Sequence, residues 1–226
     1  MSGLAVALPV ASPVPAASRP PIPEIPAMKR ILLAAVLAFA VAGAASAAPL
    51  TYKIDANHTD VIAGWSHFGF SNPVAHFGQV DGSITYDPAK PSASSVEVTI
   101  PLAGLNSHVP AFDEHLRSAD FFDAEKYPNI TFKSTKVEAA GEKKLKVTGD
   151  LTVHGVTKSV VLDVTINKVG EQPMAKRAAA GFDASTTIKR SEFGVGKYVP
   201  NVSDEVTIHI TTEAIVPKAE ASDAKA

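Results

Sequence analysis

The sequence predicts an all-β domain of about eight antiparallel strands, a barrel or a sandwich, interrupted by one short helix. Three observations predict it. Apolar and polar residues alternate over several separate segments, turn-forming clusters punctuate those segments, and one stretch, "PAFDEHLRSADFF", switches to a helical period.

Taken along the chain, the first strand pattern sets Val61, Ala63, Trp65 and His67 against Ile62, Gly64, Ser66 and Phe68, with one imperfect face. "SVEVTIPL" is cleaner, placing Val96, Val98, Ile100 and Leu102 on one face. "KKLKVTGDLTVHG" aligns Leu145, Val147, Leu151 and Val153, and "VVLDVTINKV" aligns Val160, Leu162, Val164 and Ile166. "GFDASTTIKR" contributes Phe182, Ala184, Thr186 and Ile188, and "DEVTIHITTEAIV" contributes Val206, Ile208 and Ile210. Between them stand turn signals such as "YDPAKPSAS", "AAGEKK", "HGVTK" and "NKVGEQPMAK". Several patterns run ten or more residues, longer than a usual strand of about five or six. Long tilted strands favour a closed barrel, and about eight strands make one wide enough to hold one small ligand. Gly64, Gly149 and Gly181 fall inside strand patterns, as bends or close backbone approaches require.

The helical segment places Phe112, Leu116, Ala119 and Phe122 on one stripe over two or three turns. Pro110 suits the first turn, Asp113 and Glu114 face the positive end of the dipole, and Arg117 stands towards the other end. Tyr127 before Pro128 stops the run. The apolar stripe must pack on the sheet or across an opening, as a lid or plug.

Upstream, Met28-Lys29-Arg30, the apolar "ILLAAVLAFAVAGA" and Ala45-Ser46-Ala47 form the three parts of a secretory signal, predicting removal of residues 28–47 and cleavage after Ala47. Residues 1–27 hold seven of the 17 prolines and no amphipathic pattern, and read as a disordered extension or a miscalled start. The alanine-rich run is short for a membrane span, so no stable span is expected after processing. The mature chain has 179 of the 226 residues, enough for one domain with a real core. Without Arg19, Lys29, Arg30 and Glu24, it keeps 18 basic and 22 acidic side chains, a net charge of −4 that argues against nucleic acid as a partner. No cysteine is present, so packing must supply the stability and thiolate chemistry is excluded. Residues 217–226, "PKAEASDAKA", read as a solvated disordered tail.

Four motifs carry a resemblance: "YKIDANHTDVIAGWSHFGF", "HLRSADFFDAEKYPNITFKST", "GDLTVHGVTKSVVLDV" and "IKRSEFGVG". Together they resemble the YceI-like family of secreted, lipocalin-like proteins, in family order from about Thr51 to Val216, which implies one barrel domain over residues 48–216. The resemblance implies an extended antiparallel eight-stranded lipocalin-like barrel with a short helical insertion, enclosing a long cavity for an isoprenoid or other lipid-like chain. It also implies a bacterial, periplasmic protein and brings no catalytic residue set and no cofactor. Two positions depart from the pattern. Phe112 stands where an arginine commonly precedes the Asp, and the aromatic bulk sits at Trp65 rather than at Ala63, which implies a reshaped cavity.

Asp113, His115, Asp120 and Asp123 do not share a helical face, and no H-E-x-x-H or other ligand spacing occurs, so they read as helix-terminal and solvated charges rather than a metal or acid/base cluster. There is no G-x-S-x-G elbow, and "GVG" lacks the context of a phosphate loop. His67 and His154 each end an apolar face expected to point inward, where they could bond backbone, an acid or a ligand's oxygenated head. The expected cavity residues are the aromatics Trp65, Phe68, Phe77, Phe112, Phe121, Phe122, Phe132 and Phe182, the aliphatics Val98, Ile100, Leu116, Leu151 and Val153, and the two histidines. The function expected is binding of a long-chain apolar ligand by a carrier or sequestering protein. The alternatives are an enzyme acting on a lipid with His67 or His154 as general base, and a ligand-free structural or stress-related barrel. Exposed strand edges could support a homodimer.

Overall fold

The computed structural model describes residues 48–218; the predicted extension, the signal and most of the tail lie outside the described residues. Its strands are β1 (Leu50–Ile54), β2 (Asp60–Gly64), β3 (Val74–Phe77), β4 (Asp81–Tyr86), β5 (Ser95–Pro101), β6 (Leu105–Asn106), β7 (Asn129–Gly141), β8 (Lys144–Val153), β9 (Val156–Gln172), β10 (Arg177–Lys189) and β11 (Glu205–Ile215), with one α-helix, α1 (Pro110–Arg117).

The sheet runs β1-β4-β5-β7-β8-β9-β10-β11-β2-β3-β6, and β1 also pairs with β11. β11 therefore holds two partners end to end: Thr207–Thr211 pair with β2, and Ala214 and Ile215 pair with β1. β1 and β2 are two lengths of one broken stave, as are β3 with β4 and β5 with β6. The result is a closed, antiparallel barrel of eight staves. Closure satisfies the backbone of both would-be edges, and the ring needs no residue before Leu50.

The breaks have local causes. Asp55 accepts from Asn57 N at 2.9 Å and from His58 Nδ1 at 2.8 Å, which tightens residues Ala56–His58 into a 3-10 turn between β1 and β2. The bond to His58 holds the Asp55 carboxyl below its ordinary value. A second 3-10 turn, Leu102–Gly104, separates β5 from β6, and the Gly104 carbonyl accepts from Gly78 N at 3.1 Å between the other two lengths.

Gly149 and Gly181 behave as their positions required, whereas Gly64 would admit a Cβ with no contact closer than 3.5 Å. A Cβ at Gly149 would sit 2.4 Å from Phe132 Cζ, because the Phe132 ring lies over β8. Gly181 marks the register shift between β10 and β9, and Gly64 ends β2. The predicted helix is shorter than its stripe. It ends at Arg117, where Ser118 Oγ donates to the His115 carbonyl at 2.7 Å, and Ala119 and Phe122 lie beyond it. Among the described residues no helix is long and apolar enough to cross a membrane.

Inward side chains form one core, but they fill the barrel unevenly. Towards the β9–β10 hairpin it is solid, with Tyr52, Tyr86, Val137, Leu145, Val147, Ala180 and Ala214 all buried. Burial pushes both tyrosine hydroxyls above their ordinary pKa, and each also feels a neighbouring anion-forming group, Tyr86 for Tyr52 and Asp87 for Tyr86. Towards α1 the barrel is hollow.

Candidate functional site

The hollow half is a cavity of about 440 Å³, within the usual range of about 300–1,000 Å³ for small-molecule sites. Its floor is Phe182, whose ring meets Tyr86 edge-on at 5.7 Å, with the solid half beneath. Its walls are alternate residues of the strands: Val98 and Ile100 from β5, Phe132 from β7, Leu151 and Val153 from β8, all of them expected. Among the described residues, no aspartate, glutamate or lysine lines it.

The roof is built from α1 and the segment after it. Phe112, His115 and Leu116, spaced three and four apart, turn one face to the cavity, followed by Phe121 and Phe122. Aromatic contacts join this roof to the walls. Trp65 and Phe112 lie 6.0 Å apart, Phe77 meets Phe122 at 6.0 Å, and Phe121 approaches Tyr198 at 6.2 Å. The two departures from the family pattern, Trp65 and Phe112, are thus neighbours that share one corner of the cavity.

Polar groups fasten the roof from outside the cavity. Asp113, read from sequence as a solvated helix charge, is buried, because its Oδ1 accepts from Ser107 N at 2.7 Å and Ser107 Oγ at 2.5 Å. The Ser107 hydroxyl is the main reason its carboxyl is held below the ordinary value, helped by the Ser107 amide, Arg117 and His108 and opposed by desolvation. Arg117 Nε donates to the Leu102 carbonyl at 2.9 Å, and its Nη2 donates to that of Leu105, tying α1 to the break between β5 and β6. His115 Nε2 lies 3.8 Å from Asp120 Oδ2, and Asp120 is engaged by Lys197, which holds its carboxyl below the ordinary value. Among the described residues no group of three His, Asp or Glu side chains is placed to hold a metal ion.

One side of the cavity is closed by the segment 190–204. Arg190 organises it: Nε donates to the Ser203 carbonyl at 2.8 Å, Nη1 to those of Val195 and Lys197 at 2.6 and 2.9 Å, and Nη2 to that of Val202 at 2.9 Å. Burial lowers its pKa from the ordinary value, opposed by Asp204. Phe193, Val195, Tyr198 and Val202 of this segment line the cavity.

Thirteen of the fifteen expected residues border the cavity, and Phe68 and His154 do not. His154, expected to point inward, lies outside the cavity lining for a geometric reason. Val153 pairs with Val156, so His154 and Gly155 are the two loop residues of the β8–β9 hairpin, both with positive φ, the geometry of a type I′ turn. The turn points the His154 ring to Tyr127 at 5.0 Å rather than inward, and a Cβ on Gly155 would strike Tyr127 Cε1 at 2.5 Å. Phe68 also has positive φ, at 53°, and its ring turns outward beside His67 at 4.8 Å. His67 itself borders the cavity. The inward faces of β10 and β11 that the alternation had marked, Ala184, Ile188, Ile208 and Ile210, also line it. Arg190 and Phe193 gave no periodic signal, since they lie in a 3-10 turn.

Comparison with known proteins matches this architecture. Residues 52–214 fit the model of the YceI-like domain. A UPF0312 protein of Pseudomonas putida (strain GB-1) is 39% identical over 193 residues, covering 84% of this chain and 100% of that one. The crystal structure of Burkholderia cenocepacia BcnA superposes with a TM-score of 0.65 at 30% identity, covering 71% of this chain and 99% of that one. A polyisoprenoid binding domain from Saccharophagus degradans shares the fold at a TM-score of 0.58 and 17% identity, over 74% of this chain and 99% of that one. With most of its length matched by the family model and by relatives across their whole length, the chain belongs to the YceI-like domain family.

Proposed function

We propose that the protein binds one long-chain apolar lipid, an isoprenoid or a comparable chain, inside the barrel, and serves as a periplasmic carrier or sequestering protein once residues 28–47 are removed. The observation that carries this reading is the hollow half: a roofed cavity of about 440 Å³ whose wall is almost entirely aliphatic and aromatic. A buried methylene contributes about 0.8 kcal/mol, so a chain of some 20 carbons gains roughly 16 kcal/mol before binding costs of about 4–15 kcal/mol. The driving force is sufficient without any charged contact. Chain length is read weakly, because one methylene more or less changes affinity by only that small increment. The polyisoprenoid binding domain of the same fold supports the ligand class. Binding fits better than turnover: His154 faces Tyr127 and not the cavity, and the carboxylate 3.8 Å from the cavity residue His115, that of Asp120, is already engaged by Lys197.

Native mass spectrometry of residues 48–226, followed by solvent extraction, tests this. A stoichiometric long-chain lipid is expected. Bare protein that also fails to take up added geranylgeraniol overturns it. The roof is tested separately, because Leu116 lines the cavity while Glu114 faces solvent. Leu116→Ala should release bound lipid faster than Glu114→Gln, and the reverse order would rule out α1 as a lid.

A further inference from the structure

The two loops that meet beside the roof carry four exposed large apolar side chains. Phe70 is 93% exposed, Phe68 51%, Tyr198 52% and Val199 37%. They form one patch, because Phe68 N donates to the Asn201 carbonyl at 2.8 Å and His67 bridges to both Ser71 and Val202. The stretches "SHFGFSNPV" (residues 66–74) and "YVPNVS" (residues 198–203) contain no Asp, Glu, Lys or Arg, in a chain that is 19% charged. Phe68 and Tyr198 hold φ values of 53° and 67°, a left-handed conformation that bulky side chains rarely adopt and that persists where the surroundings impose it. The fold thus holds Phe68 and Tyr198 half-exposed in an unfavourable conformation, Phe68 beside His67 and Tyr198 against Phe121.

The position of the patch identifies what covers it. His67, Tyr198 and Val202 border the cavity, and Tyr198 is at once a wall residue and half-exposed. The patch is therefore the rim of the cavity at the roof. We infer that this rim, Phe68, Phe70, Tyr198 and Val199, seats the barrel on a lipid bilayer so that an apolar chain passes between membrane and cavity without crossing water. This rests on the lipid-binding reading. Aromatic side chains settle at the boundary between head groups and acyl chains, and a charge-free loop tip enters it without desolvating an ion. Phe70 projects from a tip, as a wedge does, whereas a second copy of the chain would need a self-complementary face.

The test is sedimentation of residues 48–226 with vesicles of phosphatidylethanolamine and phosphatidylglycerol, alongside uptake of geranylgeraniol read by native mass spectrometry. The double variant Phe68→Ser/Phe70→Ser alters only exposed side chains, so cooperative unfolding should be unchanged, and the vesicle-bound fraction should fall about tenfold or more given the apolar area removed. Met174→Ser, equally exposed at 90% but at the β9–β10 hairpin on the opposite end, should leave it unchanged. The double variant should still take up geranylgeraniol delivered from ethanol yet take it up more slowly from vesicles. Equal sedimentation of native protein and double variant, or an equal loss with Met174→Ser, overturns the inference. So does a dimer that dissociates in the double variant while native protein ignores vesicles, which makes the rim an interface between copies. Failure of the lipid-binding reading is distinct: no uptake by any route, whatever the vesicles show.

Discussion

Strand β10 crosses both halves of the barrel and shows how differently they are built. Ala180, paired with Ala214 of β11, is 1% exposed and sits in the solid half. Ala184, on the same inward face four residues on, borders the cavity. The two alanines have the same size and the same backbone state. What differs is what the neighbouring staves project at each level: Tyr52 and Tyr86 reach into the solid half, while around Ala184 the inward residues meet open space and, above it, the roof. A barrel of this size can be filled by its own side chains or can hold a ligand, and this chain does one at each end. Stability is therefore concentrated where the barrel is full, and the capacity to bind where it is not.

Emptying the full half should have the largest effect. Tyr52→Ala should cost about 3–5 kcal/mol in urea-induced unfolding, as removal of a large buried aromatic does elsewhere, while residual folded protein keeps its cavity. The reciprocal experiment fills the hollow half. Ala180→Phe should destabilise by about 1–3 kcal/mol through overpacking, whereas Ala184→Phe, entering vacant space, should cost under about 1 kcal/mol yet abolish geranylgeraniol uptake. Equal destabilisation at the two sites would show that the cavity is not vacant in solution.

A smaller effect should come from the fastening of the roof. Asp113→Asn should cost about 1–2 kcal/mol, since a buried charge-assisted hydrogen bond is weakened but an acceptor is kept. Because the folded carboxyl is held below its ordinary value of 3.8, its stabilisation is complete above that pH and is lost as pH falls through the lower, folded value. Trp65, the single tryptophan, lies 6.0 Å from Phe112 of α1, so its fluorescence should report the roof loosening under acid, with the step missing in Asp113→Asn. The smallest effect should be at the exposed pair of Lys197 with Asp120. Lys197→Ala should leave thermal unfolding unchanged within error, because exposed ion pairs contribute little.

The strands are readable because their determinant is local, whereas closure into a barrel rather than a sandwich is not set by the alternation and is implied by the family resemblance. A period of two assigns each side chain of β8, β9, β10 and β11 to a face whatever its partners are, and the "HGVTK" turn signal marked the β8–β9 hairpin. The same periodicity misled at that hairpin's tip: extending the inward face of β8 one position beyond Val153 ignored that His154 is a loop residue with positive φ. The stripe predicts a longer helix than Pro110–Arg117, since Ser118 ends it by bonding the His115 carbonyl, a competition between side chain and backbone that periodicity does not register. Arg190 carries no local signal for a related reason. Its four acceptors lie on residues Val195, Lys197, Val202 and Ser203, so its role exists only once that segment has folded around it.

From local pattern alone, the sequence specifies the face on which most apolar strand side chains lie, an all-β domain of about eight antiparallel strands, and a short amphipathic helix that must pack on the sheet or across an opening. These follow from the alternation of side chains along a strand and from hydrophobic burial, both of which act over a few neighbouring residues. Only the tertiary structure decided where the interior is solid and where it is hollow, and which aromatics were left standing on the rim. Those outcomes depend on the summed volume of side chains brought together from staves far apart in the chain, as when Tyr86 meets Phe182 across the barrel, and no local pattern encodes such a sum.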